Sequence, residues 1–530
     1  MMQLTIHGSG WWEGISKNNN ELAMVIVTIS AIMLAILWYK RTAAPSNGAP
    51  PLPPGPRSLP IVGYLPFLSP DLHKQFTNMA HSYGPIFKFH LGSKLHVVIN
   101  TPELAKEVVR DQDEAFSNRD ITVAPSVLTY GGQDLVMSKN NANWRNLRKI
   151  LVRDLLSNKN LEACGSLRQN ELRKTINNLF GKIGTVVDIS KIVFLTEASV
   201  ITNMVWKNTS YNGLEGSSHL GDELQTVSSN IADIFGKPNV SDFFPSLAWL
   251  DLQGIKRDMT KQLDKLEQIL TSIIEDRIKT NLKRSQVDGF GHEVERDFLQ
   301  MLLDIKDQKD ATSLSITQIK ALLVDILIAG TETTATLAEW AMAEIMQNHN
   351  VMTKVQEELA KIVGANSIVE ESHLSQLEYL EATIKETIRL HPVIPFLLPR
   401  LPSQDCKVGG YTIPKGCTVF LNVWSIHRDP RYWDKPLDFN PDRFLTDKCD
   451  YNGNNLKFFP FGSGRRICAG IPLAERMQML ILASLLHSFD WSLPTGEEHD
   501  LSEKFGITLR KRKPLMAIPS QRLPDVSLYN

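Results

Sequence analysis

Apolar residues fall into four regimes along the chain. Between residues 22 and 39 (LAMVIVTISAIMLAILWY) they are continuous and uncharged. At about 1.5 Å per helical residue this run approaches the roughly 30 Å of a hydrocarbon core, which predicts a membrane-crossing helix. From Tyr64 to Val109, FKFHLG and HVVIN read as two short strands and TPELAKEVVRD as a helix with Pro102 in its first turn. From Trp144 to His391 the helical period dominates, as in ITQIKALLVDILIAGTETTATLAEWAMAEIMQ and NVMTKVQEELAKIVG. After His391 glycine and proline punctuate short strand signals (VGGYTIPKGCTVFLNVW), and a last apolar helix runs from Pro472 to Phe489. The predicted fold class is mainly α with small β sheets, preceded by one N-terminal transmembrane helix.

Charge orients the anchor. Lys40 and Arg41 follow Trp38 and Tyr39 directly, whereas Lys17 before the span is opposed by Glu13 and Glu21, so the positive-inside rule places the bulk of the chain in the cytosol. No small-residue cleavage site follows, which favours an anchor over a removed signal peptide. PPLPPGP (Pro50–Pro56) cannot be helical and reads as a stiff strut between globule and membrane, or as an exposed linker. The expected organisation is 1–21 as a non-cytosolic N-terminus, 22–39 as the anchor, 40–56 as a basic and proline-rich hinge, and 57–530 as one catalytic domain. With 42% hydrophobic residues the chain can bury a large core, and its net charge of −1 gives no reason to expect nucleic acid. Its five cysteines form no CxxC pair, which disfavours zinc fingers and disulfide scaffolds.

Two segments carry candidate chemistry. In FFPFGSGRRICAGIPLAERMQML, Cys468 stands between glycines just before a helix, where backbone N–H groups and the positive helix end stabilise a thiolate. Gly464 and Gly470 would allow unusual dihedrals and a close approach to a flat cofactor. A lone thiolate is a poor zinc site, but haem brings four nitrogens and needs one axial residue; a buried structural cysteine is the other reading. In AGTETT (329–334) a polar break interrupts an apolar helix that opens with the capping-box pattern Ser315-x-x-Gln318. Thr333 lies four residues after Ala329 and can bond its carbonyl, loosening the helix. Asp325 lines a pocket or finds a salt partner; the second is the stronger expectation.

Phe461, Gly464, Arg466, Cys468 and Gly470 match, position by position, the FxxGxRxCxG haem loop, and on them the chain resembles the cytochrome P450 family. The resemblance continues through AGTETT, through Glu386 and Arg389 of KETIRLHP, through Arg443 of FNPDRF, and through Trp144 and Arg148 of NWRNLRK. Where the family more often has Glu, this chain has Asp442. The resemblance covers essentially the whole chain, and its details are most similar to plant microsomal members. It implies a cytochrome P450 fold around heme b, with Cys468 as axial ligand of the iron. Glu332 and Thr333 would be the acid and alcohol that move protons. Trp144, Arg148, Arg466 and Arg400 would contact the propionates, with Ala329, Phe461, Gly464 and Gly470 also against the cofactor. Glu386, Arg389 and Arg443 would form a structural charge triad.

The activity so implied is insertion of one oxygen atom of O2 into a C–H bond of a small apolar metabolite, a terpenoid in preference to a phenolic or flavonoid. Electrons would come from NADPH through a separate membrane reductase, because no Rossmann or flavin fingerprint is present. The expected location is the endoplasmic reticulum membrane, single-pass, with no nucleic-acid partner. A haem-thiolate isomerase or dehydratase usually lacks the acid and alcohol pair, and a non-catalytic haem sensor needs neither pocket nor relay. Ile121–Leu135, Val324–Ala329, Val393–Leu398 and Phe505–Ile507 are expected to line the pocket, with Phe396 and Phe505 as its main aromatics. Arg145, Lys149 and Arg153 are expected to face the reductase.

Overall fold

The structure, a computed structural model, describes residues 23–34, 37, 50–207, 216–287, 297–308, 313–447 and 449–530. Its largest sheet contains β1 (Ile86–Leu91), β2 (Lys94–Ile99), β3 (Asn118–Arg119), β4 (Arg400–Leu401) and β5 (Thr418–Leu421), in the order β1-β2-β5-β4-β3. The two strands read from FKFHLG and HVVIN form an antiparallel hairpin, with Ile86 opposite Ile99 and Leu91 opposite Lys94. β2 then pairs in parallel with β5, His96 opposite Thr418. A parallel neighbour has to arrive by a long crossover, and this pairing docks the segment after His391 onto the first hundred residues. At the far edge β3 and β4 are antiparallel and set Arg119 opposite Arg400.

The helices that build the site are α1 (Ala142–Ile150), α2 (Gly165–Phe180), α3 (Ile189–Val205), α4 (Gly216–Phe235), α5 (Ile255–Val287), α6 (Ile316–Gln347), α7 (Glu378–Leu390) and α8 (Ile471–Ser488). The predicted capping box opens α6: Gln318 N donates to Ser315 Oγ at 3.1 Å, and Ser315 N to Gln318 Oε1 at 2.7 Å. Composition alone would let α6 cross a membrane, but 67% of its most apolar window is buried inside the molecule. Every residue from Thr334 to Met346 is buried, so α6 is the central core helix, apolar all round because neighbours surround it. α3, α7 and α8 pack directly on it. α6 lies tightly against α3 at Gly330, where a Cβ would fall 2.5 Å from Ile201 Cδ1.

Ala23–Leu34, within the predicted anchor, is an exposed apolar helix. Residues 38–49, which hold Trp38, Tyr39, Lys40, Arg41 and the start of the hinge, lie outside the described residues, as do residues 1–22. The proline strut does not stand clear of the globule. Lys88 N donates to Pro54 O at 2.8 Å and Thr412 N to Pro51 O at 3.0 Å, and a Cβ on Gly55 would fall 1.9 Å from Lys88 O. Proline lacks a donor but keeps its carbonyl acceptor, so the strut lies along the sheet it was expected to hold away from the membrane.

Candidate active site

The segment before α8 loops back on itself so that Cys468 N donates to Phe461 O at 3.0 Å. Gly464 takes φ +72°, and a Cβ there would fall 2.4 Å from Val109 O. The close approach seen here is to the backbone of Val109. Gly470 differs from expectation: its φ of −83° suits any residue. What it contributes is its N–H, which donates to Cys468 Sγ at 3.3 Å. Burial pushes the Cys468 thiol up, while the N–H groups of Gly470 and Ile471 and the charge of Arg148 pull it back. The other four cysteines are free and buried elsewhere, whereas Cys468 is open to an internal cavity.

That cavity, about 410 Å³, is walled by α1, α3, α4, α6 and the Cys468 loop. One side is held by arginines. Arg148 Nη2 donates to Ile467 O at 2.8 Å, Arg400 Nη2 to Ser463 O at 2.9 Å, and Arg466 Nε to Ser117 O at 2.6 Å. A fourth, Arg119, was missed by the sequence analysis and gives Nη1 to Leu398 O at 2.6 Å. Like charges opposite each other on paired strands repel, yet Arg119 and Arg400 are both buried, and Arg119 Nε and Arg400 Nη1 have no hydrogen-bond partner. Asp113, 3.5 Å from Arg400, approaches as a counter-charge, and the field of Asp134 also acts on Arg119 and Arg466. Desolvation holds Arg400 and Arg466 at about 10. A buried cationic wall with unpartnered donors facing a cavity above a cysteine fits the two propionates and the iron of heme b.

Trp144 also lines this side of the cavity. Its single donor, Nε1, is spent on Leu135 O at 3.1 Å, and its ring lies 4.2 Å under the Arg466 guanidinium, which it holds in place.

On α6, Thr333 Oγ1 donates to Ala329 O at 2.6 Å, as predicted, and the hydroxyls of Thr331 and Thr334 do the same to Leu327 and Gly330. Three back-bonding threonines in four residues weaken the helix ladder at one point. Ala329 is open to the cavity at this point. Glu332 lies 3.5 Å from Arg510 Nη1, and burial raises its carboxyl despite that partner. Of the two expectations for Asp325 the structure bears out the pocket wall: it lines the cavity and has no salt partner among the described residues. Its Oδ2 accepts from the amides of Leu135 (2.7 Å) and Val136 (3.1 Å), and it stands against a second buried carboxyl, Asp134. Asp134 is pushed up to about 6 by burial, so the two share a proton and tie the segment before α1 to α6.

The charge triad is as expected. Glu386 and Arg389 are both fully buried, joined at 2.7 and 2.8 Å, and Arg443 Nε closes the set at 3.0 Å from Glu386. Asp442 points outward to Lys354 at 3.0 Å, so its departure from the family pattern costs the triad nothing. A larger but open hollow, about 700 Å³, lies beside this pair and holds none of the predicted site residues.

The predicted pocket aromatics are misplaced. Phe396 packs on Phe76 and Phe420, and Phe505 stacks on His73, all in the cluster behind the sheet. Their neighbours Val393, Ile394, Leu397, Leu398 and Ile507 do line the cavity, and its aromatics are Trp144, Phe235 of α4 and Phe461. Glu197, Ile201, Met204 and Val205 of α3 also line it and were not foreseen.

The comparisons agree with this geometry. A family model described as Cytochrome P450 matches residues 53–518. A geraniol 8-hydroxylase of Catharanthus roseus is 35% identical over 93% of this chain and 99% of its own. A flavonoid 3'-monooxygenase of Crocosmia x crocosmiiflora is 36% identical over 93% and 96%. A solved zebra fish cytochrome P450 with progesterone superposes with a TM-score of 0.71 at 26% identity, over 86% of this chain and 100% of that one. With a family model across most of its length and named hydroxylases among its relatives, this chain belongs to the cytochrome P450 family, as a monooxygenase that takes heme b.

Proposed function

We propose that this monooxygenase uses NADPH and O2 to hydroxylate a small, hydrocarbon-rich specialised metabolite, a terpenoid in preference to a flavonoid, at the endoplasmic reticulum membrane. The observation that carries the substrate reading is the cavity wall. Leu128, Ile231, Val324, Ile328, Val393 and Ile507 are aliphatic, and the polar groups among them are already engaged. Thr129 Oγ1 donates to Pro125 O, and Asp325 holds two amides. Among these side chains near the aliphatic wall Thr508 is the exception: its hydroxyl has no partner, as is also true of Glu197 Oε2 and Gln478 Oε1 elsewhere in the lining. A pocket discriminates strongly only through polar groups the wrong ligand would leave unpaired. Beside its aliphatic side chains the wall offers the Thr508 hydroxyl and few other free polar groups to a ligand that is otherwise apolar. The test is a panel of terpenoid alcohols and flavonoids read by the ligand-induced Soret shift. We expect type-I shifts from the first group; tight binding and turnover of a flavonoid, with none for any terpenoid, overturns the assignment.

In this reading Cys468 would hold the haem iron, and Arg119, Arg148, Arg400 and Arg466 would pair the propionates. When bound, haem supplies O2 activation, which thiolate donation favours by promoting O–O cleavage. The protein's part is to place the substrate and supply protons on time. Glu332, whose carboxyl burial raises, passes a proton toward Thr333 from the Arg510 side. Thr333 holds it at a hydroxyl whose own bond to Ala329 O is already off the regular ladder. Thr333→Ala is expected to retain cofactor and ligand binding but to form about 100-fold less product, the scale of a lost proton-transfer group. NADPH is still consumed, and hydrogen peroxide takes the place of product. Unchanged product per NADPH removes Thr333 from the mechanism.

Electrons require a membrane reductase docked where Cys468 lies nearest the surface. Arg145, Lys149 and Arg153 are exposed on α1 and the turn that continues it. Arg145 holds only Asn140, and Arg153 only its neighbour Asp154. Reversing Arg145 and Lys149 to Glu is expected to slow reduction and flatten its salt dependence, because steering is screened over about 10 Å at 0.1 M salt. Identical reduction rates at low salt make this face ordinary solvated surface. Membrane attachment is supported by the apolar N-terminal run and by exposed apolar groups, including Ile61, Phe67, Trp249 and Leu252.

A further inference from the structure

The cavity has a rear part, behind α6, that the mechanism above leaves unused. It is walled by Leu155, Leu337 and Leu473 and carries three polar residues, Glu197, Thr334 and Gln478. Glu197 is 1% exposed, and its Oε2 has no hydrogen-bond partner. Gln478, 2% exposed, gives Nε2 to Thr334 O at 2.6 Å and leaves Oε1 without a partner. Both residues line one cavity and each keeps a buried polar atom without a partner, a demand that bound water would meet, since such groups are otherwise satisfied.

The surroundings give Glu197 a route outward. Arg168 of α2 is the one charged group whose field acts on it. Arg168 commits Nε and Nη2 to Glu371, at 2.6 and 2.8 Å, and its Nη1 also lacks a partner. The Glu371 side chain is 25% exposed, so this pair reaches the surface. On the inner side, Gly330 faces Ile201, one turn along α3 from Glu197, and Thr334 is one turn along α6. Glu332 lies about 200° round α6 from Gly330, at 100° per residue, and therefore faces away from α3.

We propose that Glu197 is a second proton-supplying acid of this enzyme, feeding the reaction chamber through water held between Glu197, Thr334 and Gln478, on the face of α6 opposite Glu332. The proposal rests on the monooxygenase activity above, in which one atom of O2 enters the substrate, the other leaves as water, and two protons and two electrons are consumed. Glu197 gives its proton to a cavity water, stands as a carboxylate, and takes a proton back from water on the Arg168 side. It ends each cycle unchanged. Desolvation supports the role, because it raises Glu197 to about 8 and keeps a proton on it at neutral pH. Acting through water and not on the reacting atoms, Glu197 is a positioning residue.

The test uses the full chain in vesicles with a membrane reductase, as wild type, E197Q and E197L. Infrared spectra of the wild type are expected to show the carbonyl stretch of a neutral carboxylic acid that titrates near pH 8. The band should be missing from both variants and should shift on transfer to D2O as fast as solvent is exchanged. NADPH-driven oxygen consumption by the wild type should fall as pH rises through about 8. E197Q should lack that alkaline limb and run about tenfold slower at neutral pH, less than the roughly 100-fold loss of a sole proton donor, because the Glu332 path remains. E197L, which completes an apolar wall, serves if E197Q does not fold, and the red-shifted carbon monoxide band confirms that each variant holds its cofactor. A carboxyl band that resists D2O, or variant pH profiles that match the wild type, overturns the proposal. Absence of the carbon monoxide band from the wild type strikes the monooxygenase reading instead.

Discussion

Cys468→Ser will abolish the red-shifted Soret band of the reduced carbon monoxide complex. The band reports thiolate donation to iron, and a serine oxygen, as alcohol or alkoxide, cannot supply it. The surroundings in this chain are built for sulfur. Gly470 N–H lies 3.3 Å from Sγ, a sulfur-acceptor distance, and the start of α8 at Ile471 adds a second amide. Serine oxygen is smaller and sits on a shorter bond, so these amides would be left facing a gap. None of Cys164, Cys406, Cys417 or Cys449 borders the cavity, and all four are buried. Burial holds Cys417 up at about 12 and Cys449 at about 11, so neither offers a thiolate. No other cysteine can substitute, and the expected outcome is complete loss of the band, read in an anaerobic dithionite spectrum. A surviving band would mean that the ligand is not Cys468.

What the sequence made legible was local. The Ser315–Gln318 cap, the Thr333 bond to Ala329 and the cysteine ahead of a helix all depend on residues within four positions of each other, where helix geometry dictates who meets whom. The triad of Glu386, Arg389 and Arg443 came from family resemblance, and the fold delivers it by folding residues 434–443 back over α7. The rest was hidden because it lives between elements. Arg119 sits in a two-residue strand with no periodicity of its own, and only pairing with β4 sets it beside Arg400. Glu197 and Ile201 matter because α3 crosses α6 at a glycine, a meeting of segments about 130 positions apart that no window on the chain contains. Phe396 was assigned by its neighbourhood, but side chains along that segment diverge. Leu397 takes a left-handed φ of 52°, and within a few residues the wall turns from the cavity to the aromatic cluster of Phe76. Asp325 was read as a charge in search of a cation, whereas two backbone amides and a neighbouring carboxyl satisfy it without one.

Arg389→Ala should be the most destabilising single change outside the cofactor site. Arg389 is fully buried and every nitrogen of its guanidinium is used. Nε and Nη2 fork onto Glu386, Nη1 takes the carbonyls of His427 (2.8 Å) and Pro436 (2.7 Å), and Nη2 adds Asp438 O at 3.2 Å. Removing it strands the carbonyls of His427 and Pro436, leaves Asp438 O to Arg443 alone, and leaves the buried Glu386 carboxylate with Arg443, 12% exposed, as its remaining ion-pair partner. Breaking a buried pair from one side costs about 3–5 kcal/mol, because the surviving charge stays desolvated. The carbonyls belong to the segment that leads into the Cys468 loop, so the loss should fall first on cofactor retention. Holoprotein yield is expected to collapse before helical content does. Arg389→Lys should rescue little, since an ammonium cannot hold a bidentate carboxylate and three carbonyls from one position. Urea unfolding followed by both far-UV circular dichroism and Soret absorbance checks this: the Soret transition of the variant should move to lower urea than the helical one. Coincident transitions with the wild-type midpoint would show that the triad carries neither stability nor the loop.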